Sequence, residues 1–230
     1  MKYEVDPEHP LTTAFPYFPE DEQAILAGQF KEILATRLSM GPWTARFESS
    51  FAEYCGSSFG IAFPSCTAAL EASLQALGLE PGDEVLVPVE TFIATGMAVH
   101  LAGGRPVFTE IDQHSFCMDF EDAWQRVTAR TRGAIVVHFG GLVPAGLDRF
   151  VRKMRSSGRF VIEDAAHAPG ATLNGACAGT FSDAGCFSFY PTKIMTTGEG
   201  GMVITRDEKM AGILRSLQQR GRDLEAAGEN

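Results

Sequence analysis

Residues 159–168 read RFVIEDAAHA, and this stretch decides the fold. Phe160, Val161 and Ile162 follow one another without a polar partner, and then come two acids, two alanines and a histidine. A strand that does not alternate is covered on both faces, the situation of a parallel sheet between two helix layers. Working outward, strands are predicted at residues 58–63, 84–87, 106–109, 133–138, 159–163, 184–189 and 201–205. Helical periodicity falls between and around them, at residues 20–38, 44–54, 67–77, 91–101, 120–129, 147–155 and 208–219. The alternation predicts an α/β fold with a mostly parallel central sheet and helices on both faces. In such sheets ligands sit outside the carboxyl ends of the strands, so the strand-to-loop junctions are the places to look for chemistry.

The composition narrows the function classes. The chain has 230 residues, 45% hydrophobic and 21% charged, as in a globular domain with a real core. Nineteen Lys and Arg against 29 Asp and Glu give a formal charge of −10, which repels nucleic-acid backbones, so no nucleic acid is expected as partner. There is no apolar run of the ~18 residues a bilayer span requires, so no membrane association is expected. The amino-terminal MKYEVDPEHP lacks the basic and apolar regions of a signal peptide. Five scattered cysteines without a C-x-x-C pair argue against a disulfide framework and a zinc site, and for a reducing, bacterial-type cytoplasm. His9, His100 and His114 share no metal-like spacing with acids or cysteines, so no metal is expected. Asp112, Asp119, Glu121 and Asp122 read as a solvated acidic run.

Four junctions carry reactive residue types. PSCTAA at 64–69 places Ser65 as an N-cap, where the free N–H groups of the next turn and the Thr67 hydroxyl could hold a phosphate; a merely capped helix is the plainer alternative. The Glu163-Asp164 pair and His167 end a buried strand, where an acid could meet a cation such as a protonated pyridine nitrogen or simply face solvent. FSFYPTK at 187–193 sets Lys193 after an apolar strand and a proline turn; an amine near apolar walls becomes nucleophilic, whereas an ordinary loop lysine is solvated. ETFIAT at 90–95 opens a helix with Phe92, a stacking ring for a planar ligand or a core side chain. His138, in VVHFGG, reads as a satisfied strand-end histidine, and the glycines around Glu199 as turns with positive φ. Jointly the four junctions supply a phosphate cradle, a stacking ring, an acid and an amine, the contacts that pyridoxal 5′-phosphate (PLP) needs.

The chain resembles the DegT/DnrJ/EryC1/StrS family of sugar aminotransferases, within the fold-type I PLP enzymes. The resemblance runs from GPW at 41–43 and FE at 47–48 through VIEDAAHAPGA at 161–171, GTFSDAGCFSFYPTK at 179–193 and GEGGMVIT at 198–205. It implies Lys193 as the Schiff-base lysine and proton carrier, Asp164 on the pyridine nitrogen, and His167 beside the 3-hydroxyl, where many relatives carry Gln. It further implies Ser188 with Ser65, Cys66 and Thr67 on the phosphate, and Phe92 stacked on the ring. Relatives commonly have Ser-Gly-Thr where this chain has Ser65-Cys66-Thr67, so the Cys66 side chain is expected to point away from the phosphate. A branch that removes a 3-hydroxyl has His at the lysine position; Lys193 points to transamination. The implied reaction moves an amino group, with glutamate as donor, to a nucleotide-linked keto sugar. A cyclitol or other ketone, and a non-catalytic or split subunit, are the alternatives. The implied organisation is an N-terminal helical segment at 1–40 and a PLP-binding large domain at 41–230, without the smaller C-terminal domain of relatives. Each site in relatives is built from two subunits, so a homodimer, or a heterodimer with a chain supplying that domain, is expected. An asparagine from the neighbouring subunit touches the phosphate in relatives, and whether Asn230 corresponds to it is open.

Overall fold

The alternation of side chains within the strands divides the hydrophobic core in two. The structure is a computed structural model that describes residues 18–37 and 39–222. The amino-terminal MKYEVDPEHP with His9, Leu38 at the end of the first predicted helix, and Asp223 through Asn230 lie outside the described residues, so both proposed segments, 1–40 and 41–230, run past them.

In chain order the elements are α1 (Glu20–Leu34), α2 (Pro42–Cys55), β1 (Phe59–Phe63), α3 (Cys66–Ala76), β2 (Glu84–Pro88), α4 (Ile93–Leu101), β3 (Arg105–Thr109), α5 (Phe120–Gln125) and β4 (Thr131–Val137). They continue with α6 (Leu147–Ser156), β5 (Phe160–Asp164), β6 (Thr172–Leu173), β7 (Ala176–Cys177), β8 (Ala184–Ser188), β9 (Gly201–Thr205) and α7 (Glu208–Gln218). Seven strands form one sheet in the order β1-β9-β8-β5-β4-β2-β3. Only β9 runs against its neighbours, so the predicted mostly parallel α/β sheet is what the chain forms.

Odd and even positions of the buried strands go to opposite faces. Leu86, Ala134, Val136, Val161, Phe187, Met202 and Ile204 pack with Phe51 of α2 and Phe150 and Met154 of α6. Val85, Val87, Ile135, Ile162, Cys186 and Val203 pack with Leu70 and Leu74 of α3, Val99 of α4 and Leu214 of α7. Both faces are therefore covered, the reason these strands show no polar alternation. The helices take ordinary end signals: Pro42 in the first turn of α2, Gly56 in the left-handed conformation at its end, and the Asp207 side chain accepting from Met210 N at 2.9 Å. None of the residues of α1 is buried.

Two local readings are corrected. The helix predicted at 120–129 stops at Gln125. Thr128 turns instead toward Glu84, donating its hydroxyl to Oε2 at 2.7 Å, while its N–H is held by Thr131 Oγ1 at 2.8 Å. The β6–β7 hairpin was not anticipated, although Asn174 (φ 52°) and Gly175 (φ 81°) are the residue pair that a two-residue hairpin turn favours.

Candidate active site

The register of β5 and β8 fixes where the site stands. Phe160 and Ile162 lie on the α3–α4 face, so Asp164, two residues on, emerges on that face at the end of its strand. Ser188 follows Ala184 and Cys186 in the same way at the end of β8. The amino end of α3 brings Ser65, Cys66 and Thr67 beside them, and the loop after β8 brings Lys193. A cleft of about 480 Å³ is lined by all of these together with Phe92 and His167. The eight residues singled out in the sequence thus share one cavity, at the carboxyl ends of the central strands.

Asp164, only 6% exposed, is held from two elements. Thr95 of α4 donates its hydroxyl to Oδ2 at 2.7 Å, and the backbone N–H of Ala166 donates to Oδ1 at 3.2 Å. The Cys66 thiol stands 4.0 Å from Oδ1, so this side chain faces the acid. Ser65 caps α3, its Oγ accepting from Ala68 N at 3.2 Å. Phe92 is the N-cap residue of α4 and 75% exposed, which removes the core alternative for this ring.

Lys193 and Asp164 both act on the same neighbours. Burial is the largest force raising the Cys66 thiol well above its ordinary value; Asp164 and Cys186 add to it and Lys193 opposes. For His167 desolvation by the cleft wall is again the largest cause, lowering the imidazole below its ordinary value, with the Lys193 ammonium adding and Asp164 opposing. The amine and the acid line one cleft with this thiol and this imidazole.

The surroundings refine other sequence readings. His138 lies on the opposite face, fully buried, with Nε2 2.8 Å from Glu163 Oε2 and Nδ1 without a partner among the described residues. Glu199 lines the cleft, and no ion pair among the described residues includes it. In the glycine run beside it, Gly198 has φ 81°, as a turn requires, but Gly201 serves a different need. A Cβ there would fall 2.4 Å from the Ser65 carbonyl and 2.6 Å from Cys66 N, so only glycine lets β9 approach the α3 turn. Sequence reasoning missed Thr91 and Thr95; their signal was a pair of hydroxyls one helical turn apart beside Phe92. Among the described residues no group of three or more His, Cys, Asp or Glu could hold a metal ion, and no helix is long and apolar enough to cross a membrane.

Several known proteins are similar to this chain. GDP-perosamine synthase of Caulobacter vibrioides is 40% identical over 80% of this chain and 50% of its own length. L-glutamine:2-deoxy-scyllo-inosose aminotransferase of Streptomyces fradiae is 34% identical over 93% of this chain and 52% of its own. The chain therefore spans about half the length of these relatives. The X-ray structure of the aminotransferase from Psychrobacter cryohalolentis superposes with a TM-score of 0.86 at 34% identity, covering 94% of this chain and 54% of that one. The family model for DegT/DnrJ/EryC1/StrS aminotransferases matches residues 20–229, and the chain belongs to that family.

Proposed function

We propose that the protein is a PLP-dependent aminotransferase that moves an amino group from glutamate to a nucleotide-linked keto sugar. The observation that carries this reading is the convergence of Lys193 and Asp164 on one cleft that also holds the capped start of α3 and an exposed aromatic ring. That donor set fits PLP at each of its functional groups. Lys193 Nζ is the amine for the aldehyde, and the Asp164 carboxylate is the acceptor for the pyridine N–H. The hydroxyls of Ser65, Thr67 and Ser188 and the free N–H groups of Cys66 and Thr67 suit the phosphate. His167 is the partner of the 3-hydroxyl, and Phe92 covers one ring face. When bound, the cofactor supplies an electron sink that acidifies the α-carbon of the amino donor. Lys193 Nζ would be the base that takes that proton in the first half-reaction and, in the second, the acid that gives a proton to the carbon of the keto substrate.

The exposed apolar residues Phe92, Ile93 and Ile194 (75%, 72% and 79% exposed) stand on the segments that bear the site. They suit coverage by a second chain, such as another copy. Among the described residues all five cysteines are free, which suits a reducing cytoplasm. The nucleotide-linked substrate is favoured by the name of the C. vibrioides relative, and a cyclitol ketone by that of the S. fradiae relative.

The test loads the purified protein with PLP, adds glutamate and measures 2-oxoglutarate, first alone and then with a candidate partner chain. One equivalent per bound cofactor is expected. The aminated cofactor form is then offered a nucleotide-linked keto sugar and a cyclitol ketone, and the preferred acceptor separates the two substrate readings. Bound PLP that yields no oxo acid from glutamate or from glutamine, alone and with the partner chain, would remove the aminotransferase reading.

A further inference from the structure

The Asp164 carboxylate is oriented by a chain of hydroxyls that runs back to the cleft wall. Thr95 Oγ1 has a single proton and directs it to Asp164 Oδ2 at 2.7 Å. The 2.6 Å contact between the Thr91 and Thr95 hydroxyls must therefore be donated by Thr91, so the direction is Thr91 to Thr95 to Asp164. Thr95 is 1% exposed and Thr91 half-buried, and aligned hydroxyls largely shielded from water reinforce one another. Rotation of a carboxyl group about its last side-chain bond is soft and broad. Donors on both oxygens, Thr95 on Oδ2 and Ala166 N–H on Oδ1, stop that rotation and fix the lone pairs that remain. Thr95 also lies in the first turn of α4, one turn beyond Phe92, so one rigid element carries both the ring and the group that sets the acid.

We infer that Thr95, backed by Thr91, is a positioning residue that holds the Asp164 carboxylate in the orientation the pyridine nitrogen of the cofactor requires. The inference rests on the PLP reading above and adds to it the residues that preorganise the acid.

Three variants test it: Thr95→Val, which keeps the shape and removes the donor, Thr95→Ser, which restores the donor, and Thr91→Val, which removes only the backing hydroxyl. Each apoprotein is titrated with PLP for Kd, its thermal midpoint is recorded, and the pH dependence of the bound cofactor's absorbance is followed. By analogy with groups that orient metal ligands, Thr95→Val raises Kd by ~10–100-fold and Thr95→Ser stays within ~threefold of wild type. Thr91→Val falls between them, and the pH midpoint of the absorbance moves in Thr95→Val and returns in Thr95→Ser. A Thr95→Val protein with wild-type Kd and wild-type pH midpoint, changed only in thermal midpoint, would overturn the inference and leave the cofactor reading intact. Should Thr95→Val not fold, Thr91→Val decides: a raised Kd supports the relay and a wild-type Kd overturns it. Wild-type protein that binds no PLP would overturn the cofactor reading and this inference with it.

Discussion

Glu163 and His138 meet beneath the site, Oε2 to Nε2 at 2.8 Å, with neither side chain exposed. The same carboxylate gathers the loop that leads into β8: Oε2 accepts from Gly179 N, and Oε1 accepts from Phe181 N, Ser182 N and the Ser182 hydroxyl, all within 2.9 Å. The backbone N–H of His138 meanwhile donates to the Asp164 carbonyl at 3.0 Å. The adjacent acids at the end of β5 thus divide their work by face, Glu163 holding the scaffold and Asp164 facing the cleft. Removing Glu163 strands several buried donors at once. We expect Glu163→Ala to lower unfolding stability by about 3–5 kcal/mol in urea titrations. A loss below about 1 kcal/mol would show that water replaces the carboxylate without cost.

Glu84 makes the fold sensitive to acid. The Thr128 hydroxyl, joined by the guanidinium groups of Arg105 and Arg130, outweighs burial and holds this carboxyl down at about 2 from its ordinary 4.5. A depressed carboxyl contributes stability that is present above its unfolded value and is lost as pH falls toward the folded one. Wild-type stability should therefore decline between about pH 4.5 and 2, and Glu84→Gln should be less stable at neutral pH with a flatter profile in that window. Equal slopes for the two proteins would contradict this account of Glu84.

Thiol reactivity should follow protonation as well as access. Burial, with Cys177 adding, pushes the Cys55 thiol up to about 12, and Cys66 is raised well above its ordinary value although it lines the cleft. Only the thiolate is an effective nucleophile. Native protein treated briefly with iodoacetamide at pH 8 should leave Cys55 and Cys66 unlabelled by mass spectrometry, and denatured protein should label both. Rapid native labelling of Cys66 would mean that burial, with Asp164 and Cys186 adding, does not suppress its ionisation.

Gly201 is predicted to be intolerant of even one methyl group. Its Cβ would meet backbone atoms of Ser65 and Cys66, which cannot swing aside as a flexible side chain would. Gly201→Ala should cost about 1–3 kcal/mol of stability and also weaken PLP binding, because the turn that must shift is the proposed phosphate corner. An alanine variant with unchanged stability and unchanged PLP Kd would place that turn elsewhere.

The sheet was legible because a strand buried on both faces leaves an unbroken apolar run, as in Phe160 through Ile162 and Met202 through Ile204. Ser65, Thr67, Phe92, Asp164, His167 and Lys193 could be picked out because each stands near the handover from a strand to a loop or a helix, whereas Cys66 and Ser188 came from the family resemblance. What escaped depends on partners far along the chain. The end of α5 is decided by Thr128 reaching Glu84, forty-four residues away, and no local pattern announces that bond. Thr95 escaped for a similar reason: its spacing from Thr91 is visible, but its partner Asp164 is sixty-nine residues on. Gly201 resembled a turn glycine until the close approach of the Ser65–Cys66 backbone showed that it makes room.

The covalent role of Lys193 is the claim on which the rest depends, and reduction tests it directly. The PLP-loaded protein is treated with borohydride, digested and examined by mass spectrometry, beside a Lys193→Ala control. The account predicts a single phosphopyridoxyl adduct on the peptide carrying Lys193 and none in the control. An adduct on another lysine, or one that survives in Lys193→Ala, would contradict it.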